Sequence, residues 1–423
     1  MNFIGTLGDD TLDGTDGNDN FEYTGGVDIY EGGLGNDIFE ANGNNIPDGG
    51  SLQAIGGEGD DQLRFSAFVQ MDVTFQGGAG NDMAFIIFGD TQSSFVLDMG
   101  EGDDVVAIGQ SWTNTDFRVS GEFEVTLGAG QDSISIGDLQ SGSLIITDFE
   151  TGDAGDEFFL SDLALFENWD GNTNLFATEN LELVQQGNDA VLLVDFNTQD
   201  GSPARELVTF SNTTIGDFTS ANFGGLPPDG SAAIGETISG TENSETLNGT
   251  FGSDTITGLG GNDTINGLGG NDILNGGDGV DSLNGGFGDD QLFGGAGNDR
   301  FEYAAGNDIH DGGEGNDRFD VSSLGAGDSA TLTLLGGNGD DELVLIDSSS
   351  FENLTFDGGS GDDVASFTFG DENANFNLIM GDGNDRVDIG RKSVGSRLVE
   401  GHFNISLGNG PVSYTHLTLP TKA

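Results

Sequence analysis

The chain has 423 residues, enough for two to four domains, and sets 74 acidic residues against 10 Lys+Arg, a formal net charge of -64. So acidic a chain is excluded from ordinary nucleic-acid binding, which needs clustered Lys/Arg against phosphate, and is disfavoured on anionic membranes. Hydrophobic residues make up 34% and include 31 Phe, which also excludes a purely solvating acidic tail.

Glycine, at 75 residues, is far above normal usage without a collagen triplet. There is no cysteine, so disulfides do not hold any small domain together. Met1-Asn2-Phe3-Ile4-Gly5 offers neither a basic n-region nor an apolar h-region, so no cleavable secretory signal is expected. No apolar stretch is long enough to predict a transmembrane helix.

In chain order, the first element is a set of four nine-residue units from Gly5 to Glu40, with Asp10, Asp19, Asp28 and Asp37 at position 6. This predicts a short roll over 1–40. From 41 to 140 the units give way to longer coils, each still carrying a GxGxD-like turn, with Asp61, Asp82 and Asp104 as the turn aspartates. Strand-like runs such as Phe123-Glu124-Val125-Thr126-Leu127 separate the turns. Residues 141–226 lack tight repeats and alternate apolar with polar residues, as at Leu144-Ile145-Ile146, which predicts a β-rich closing block. Pro227-Pro228-Asp229-Gly230 opens a predicted linker over 227–239.

Nine consecutive nonads then run from Gly240 to Asp320. Gly276-Gly277-Asp278-Gly279-Val280-Asp281-Ser282-Leu283-Asn284 shows the pattern. Position 1 is Gly in eight of nine units, position 4 is Gly in eight, and position 8 is apolar in eight, with His310 the exception. Position 6 is Glu245 once and otherwise Asp254, Asp263, Asp272, Asp281, Asp290, Asp299, Asp308 and Asp317. Glycine permits the tight turn. The last three residues form a very short strand whose middle side chain points inward. Two units per coil would stack equivalent aspartates at roughly 4.8 Å, a self-repelling ladder that hard cations would neutralise.

Longer coils return over 321–410 with Asp341, Asp363 and Asp385. They repeat the first set: Gly56 to Asp61 matches Gly336 to Asp341, and Met99 to Asp104 matches Met380 to Asp385. Two copies of one module therefore stand in tandem. The fold expected is all-β, a parallel β-roll continuing into a wider parallel β-solenoid. Residues 411–423 contain no acid. That segment, with Ser413-Tyr414-Thr415-His416-Leu417-Thr418, is expected to be an artefactual tail on a protein that continues.

The nonad resembles the GGxGxDxUx repeat of RTX, or hemolysin-type calcium-binding, proteins. That resemblance implies a parallel β-roll whose six-residue turns hold Ca²⁺, and it carries the liganding role to the position-6 aspartates named above. It also implies export by a type I system and a secreted, extracellular location. Asp148-Phe149-Glu150-Thr151-Gly152-Asp153 resembles the block that closes such arrays.

Little points to catalysis. The three histidines form no H-E-x-x-H, and there is no G-x-S-x-G or Walker A motif. His310 is expected at the edge of the core. Pairs such as Asp60-Asp61 and Asp103-Asp104 recur in nearly every turn, as a structural role requires. Before the linker only Arg64, Arg118 and Arg205 could neutralise an acidic polysaccharide. The chain is therefore read as a non-enzymatic, calcium-dependent scaffold or adhesin-like component facing a cell surface or polysaccharide. The alternative is the repeat-bearing part of a larger toxin, protease, lipase or polysaccharide-modifying enzyme.

Overall fold

The computed structural model describes residues 1–42, 46–66, 70–87, 93–109, 119–137, 139–160, 173–178, 180–196, 203–322, 330–346, 351–367, 375–389, 402–406, 408 and 413–416. Among these residues the secondary structure is β-strand apart from two single-turn 3₁₀ segments, Ile215–Asp217 and Ala221–Phe223. Among the described residues no helix is long and apolar enough to cross a membrane. The chain divides into two units, one of Met1–Glu167 with Leu175–Ser231 and the other of Asn168–Asn174 with Ala232–Ala423.

Each unit is a parallel β-solenoid made of two sheets, with successive strands dealt alternately to one sheet and the other. The nonad causes this directly. A three-residue strand and a six-residue turn send the chain to the opposite sheet, and the next nonad brings it back. Strands eighteen residues apart therefore pair in parallel: Ile256 lies on Leu274 and Ile265 on Leu283. Their position-8 side chains all point inward, and Ile256, Ile265, Leu274, Leu283 and Leu292 are fully buried. Each contributes roughly 1.5–3 kcal/mol of burial. Aromatics at this position stack along the axis, Phe3 on Phe21 at 4.9 Å and Phe21 on Phe39 at 5.0 Å. Phe301 stacks on Phe319 at 4.9 Å in the second unit. These separations are the strand spacing itself.

In the longer coils the strands lengthen and so does the inward face. Ala330–Asn338 buries alternate residues, Leu332 and Leu334 among them, and Met71–Ala79 buries Met71, Val73 and Phe75. His310 does not sit at the core edge. It is 1% exposed and stacked against Phe301 at 5.5 Å, because its inward slot lies between apolar neighbours on both sides.

The first unit ends in an antiparallel meander. Leu181–Gln186 pairs with Asp189–Val194, and that strand pairs with Arg205–Phe210, which meets the parallel sheet at Ile145 and Ile146. Phe149, Phe158, Phe210, Phe218 and Phe223 cluster beneath it. Buried Asn222 accepts the Gly152 N–H at 2.9 Å and donates to the Asp156 carbonyl at 2.8 Å. A parallel sheet otherwise ends in unpaired edge groups, and this cap covers them.

The second solenoid starts inside the segment read as linker, since Thr237–Ser239 already pairs with Thr255–Gly260. At the far end Ser413–His416 pairs in parallel with Arg386–Ile389. Residues 411–412 and 417–423 of the expected tail lie outside the described residues, as does Arg118.

Candidate metal centre: a ladder of turn aspartates

The short strands aim position 8 inward and leave the turn to position the aspartate two residues earlier. Every predicted turn aspartate except Asp10 is 4% exposed or less, and Asp10 is half-buried. One carboxylate oxygen is held the same way throughout. The backbone N–H of each turn aspartate donates to Oδ1 of the aspartate one coil later. In the roll this joins Asp254 to Asp272 at 2.8 Å, Asp272 to Asp290 at 2.9 Å and Asp290 to Asp308 at 2.9 Å. On the other edge it joins Asp263, Asp281, Asp299 and Asp317 at 2.7–2.8 Å.

The longer coils do not break this second ladder. It continues from Asp317 to Asp341, Asp363 and Asp385 at 2.8–3.0 Å. In the first unit it runs Asp19, Asp37, Asp61, Asp82 and Asp104 at 2.7 Å. The turns of the longer coils are therefore stacked on the turns of the roll. Among the described residues, the opposite edge carries Asp10 with Asp28 in the first unit and runs to Asp308 in the second. The longer coils thus keep one ladder of two.

Two aspartates of this ladder were missed in the sequence. Asp104 N–H donates to Asp132 at 2.8 Å, and Asp132 N–H to Asp156 at 3.1 Å. Gly128-Ala129-Gly130-Gln131-Asp132 has the GxGxD spacing, which could have found the first. Asp156 ends the ladder, because its own N–H donates to the Glu150 carbonyl at 2.8 Å, and its Oδ2 accepts the Glu150 N–H at 2.7 Å.

The second oxygen is the informative one. Oδ2 of Asp37, Asp61, Asp82, Asp104, Asp132, Asp263, Asp272, Asp281, Asp290, Asp299, Asp317, Asp341, Asp363 and Asp385 is buried with no hydrogen-bond donor. Buried polar atoms are nearly always satisfied, so fourteen equivalent exceptions need a common cause. In eleven of the fourteen turns position 1 is glycine and makes room for this oxygen, while Met99, Leu127 and Met380 stand there before Asp104, Asp132 and Asp385. A Cβ on Gly276 would lie 2.3 Å from Asp281 Oδ2 and 2.7 Å from the Gly294 carbonyl oxygen, so two oxygens converge where a side chain would stand. Here glycine serves close approach rather than left-handed backbone. Burial, reinforced by neighbouring aspartates, pushes Asp61, Asp82, Asp132, Asp299 and Asp341 up to about 7 and Asp272 to about 8. Such carboxylates lack a counter-charge. The donor set is hard oxygen, and among the described residues no three acidic or histidine side chains gather at one point. A cation here would draw on carboxylate oxygen plus backbone carbonyls, a set that suits calcium.

A second ladder flanks the first on the exposed side. Position 5 side chains accept the backbone N–H of position 5 one coil later: Asn271 from Asp289 at 2.8 Å, Asp340 from Asp362 at 2.8 Å, Asp60 from Asn81 at 2.9 Å. The inner ladder accepts from the preceding coil and the outer from the following one, so their polarities oppose. The adjacent acids of Asp60-Asp61 and Asp340-Asp341 are thereby split, one outside and one inside. The recurring Asn/Asp at position 5 was the signal for this ladder.

The RTX calcium-binding nonapeptide repeat matches the chain in four copies, at residues 4–39, 239–274, 275–309 and 303–319. These turns are RTX calcium-binding repeats. No curated protein matches the chain. The RTX copies cover both stretches of nonads, and the RTX-type turn continues beyond them into the longer coils through Asp61 to Asp132 and Asp341 to Asp385.

Tyr30 and His310 occupy the same inward slot in the two rolls. The Tyr30 hydroxyl donates to Asp28 Oδ2 at 2.8 Å, whereas His310 Nε2 stays 3.9 Å from Asp308 Oδ2. Burial pushes Asp308 up to about 9 and holds His310 down at about 3, so the pair is neutral.

Proposed function

We propose that the chain is a secreted, non-enzymatic scaffold that folds when calcium loads the turn aspartates, serving as an adhesin-like component at a cell surface or on a polysaccharide. The observation that carries this reading is the set of fourteen buried, donorless Oδ2 atoms, seven of them inside the matched RTX repeats and seven in the like turns that continue them. Asp37, Asp61, Asp82, Asp104, Asp132, Asp263, Asp272, Asp281, Asp290, Asp299, Asp317, Asp341, Asp363 and Asp385 would hold the ion. When bound, calcium supplies the positive charge and the oxygen coordination that these carboxylates lack. The turns do the rest: Oδ1 is fixed by an amide, a first-position glycine clears the space in eleven of the fourteen, and position 8 anchors the strand.

The same arrangement supports a folding switch. A carboxylate buried without a counter-charge costs free energy in every coil, and the cost repeats along the ladder. Extracellular sites with affinities of ~10⁻⁴–10⁻³ M would fill only outside the cell. The paired acids in the turns have structural tasks on both sides, inner and outer, which supports a non-catalytic role. Circular dichroism is the test. In EDTA at pH 7.5 the β signal should be largely lost, and millimolar Ca²⁺ should restore it. A spectrum indifferent to chelator overturns the reading.

A further inference from the structure

We infer that the residue at position 2 decides whether a turn takes a cation, and that the first two turns of each roll close without one. The inference rests on the calcium reading above and refines which turns it applies to.

All fourteen donorless aspartates follow a position 2 with positive φ. In most it is glycine, as at Gly57 (φ 119°) and Gly277 (φ 105°). In two it is leucine, Leu259 at 77° and Leu268 at 78°. Left-handed backbone is strained for leucine, so the turn imposes this conformation even where the residue resists it.

Six nonad turns differ, their position 2 lying outside the positive-φ region. Before Asp28 it is Thr24, whose hydroxyl donates to the Gly5 and Thr6 carbonyls while Asp28 Oδ2 accepts the Tyr30 hydroxyl at 2.8 Å. Before Asp308 it is Ala304, and in the remaining four it is a threonine in the first two units of a roll. There the threonine amide itself donates to the carboxylate. Thr15 N–H meets Asp19 Oδ2 at 2.6 Å, Thr250 N–H meets Asp254 Oδ2 at 2.6 Å, and Thr241 N–H meets Glu245 Oε2 at 2.7 Å. Thr6 N–H reaches Asp10 Oδ2 likewise. The hydroxyl adds a second contact, 2.9 Å from Asp19 Oδ2 and 2.8 Å from Glu245 Oε1. It also accepts the position 4 N–H, from Gly17 at 3.3 Å and from Gly252 at 3.0 Å. The glycine turns send that N–H to the next coil instead, as Gly279 does to the Ala296 carbonyl at 2.8 Å.

Threonine thus satisfies, with protons of its own turn, the oxygen that other turns leave bare. Thr6 with Thr15, and Thr241 with Thr250, stand in the first two units of each nonad series. The one unit with glutamate at position 6 is among them. A carboxylate one methylene longer is tolerated where it caps a turn and appears in no turn with a donorless oxygen. Each roll therefore opens with a metal-independent template onto which cation-bearing coils add.

Native mass spectrometry of the full chain at saturating calcium would count ions per folded molecule, with circular dichroism confirming the fold. Asp254→Asn should leave the count unchanged and Asp272→Asn should lower it by at least one. Thr250→Gly should raise it by at least one. A loss in Asp254→Asn equal to that in Asp272→Asn, or no gain in folded Thr250→Gly, overturns the inference and leaves the calcium reading intact. If Thr250→Gly fails to fold, the asparagine pair still decides. A wild-type chain that binds no calcium overturns both.

Discussion

The nonad roll from Ile256 to Phe301 and the longer coils from Ala330 to Ile389 share one turn and differ in what surrounds it. The roll buries one apolar side chain per strand and carries aspartate ladders on both edges. The longer coils bury several per strand and carry one ladder. Apolar burial therefore rises where the number of carboxylate ladders falls along a single solenoid. Where a coil of eighteen residues cannot build a sizeable core, two turns per coil present buried carboxylates. Where strands of nine or ten residues supply more apolar area, one suffices.

Chelation should separate the two regions most strongly. In EDTA, hydrogen exchange read by mass spectrometry should show amides from Ile256 to Phe301 losing protection first and almost completely. Those of Ala330–Asn338 and Phe351–Ser360 should retain about tenfold more, a difference of ~1.4 kcal/mol. Equal loss in both regions would break the comparison.

A smaller and opposite effect is expected from acid. Asp272 and Asp290 are pushed up to about 8 and about 7, and Asp363 to about 6, mainly by burial, from an ordinary value of 3.8. Between these limits the folded, metal-free chain holds protons that the unfolded chain has released. Stability from these groups is therefore full below about pH 4 and lost as pH rises through 6 to 8. Acidifying the calcium-free chain from pH 8 to pH 4.5 should restore part of the β signal, in the roll and the longer coils alike, since Asp299 and Asp341 are both pushed up to about 7. A signal that falls on acidification contradicts this.

The smallest effect is local. Gly276→Ala places a methyl group 2.3 Å from Asp281 Oδ2, and Gly358→Ala places one 2.2 Å from Asp363 Oδ2. Each should cost about 1–3 kcal/mol in a calcium-saturated thermal melt. Near-equal losses are expected because the turn is the same in both regions, and a loss confined to the roll would show that it is not.

The roll was legible because its period is fixed. Gly276 to Asn284 states strand, turn, inward leucine and candidate ligand in nine letters. The longer coils were legible as turns but not as a ladder, since Asp317, Asp341 and Asp363 lie 24 and 22 residues apart and only folding shows that they stack. Asp132 carried the same GxGxD spacing and was within reach of the sequence, whereas Asp156 follows Thr151-Gly152-Asp153-Ala154-Gly155, which lacks it. The aromatic cap around Phe210 and Asn222 depends on contacts 66 to 72 residues apart, which no local pattern encodes. His310 was read as an edge residue because its polarity is visible in sequence and its stacking on Phe301 is not.

The constancy of the inner ladder has one more consequence. Its step is a single N–H to Oδ1 bond, yet the chain spends 18, 24, 21, 22 or 28 residues between steps. One edge of the solenoid thus behaves as a ruler and the other as slack. Insertions and deletions opposite the ladder change the length of a lap without moving the next tick. A lineage could vary that edge freely, or an engineer graft sequence into it, while the metal-facing edge kept its count.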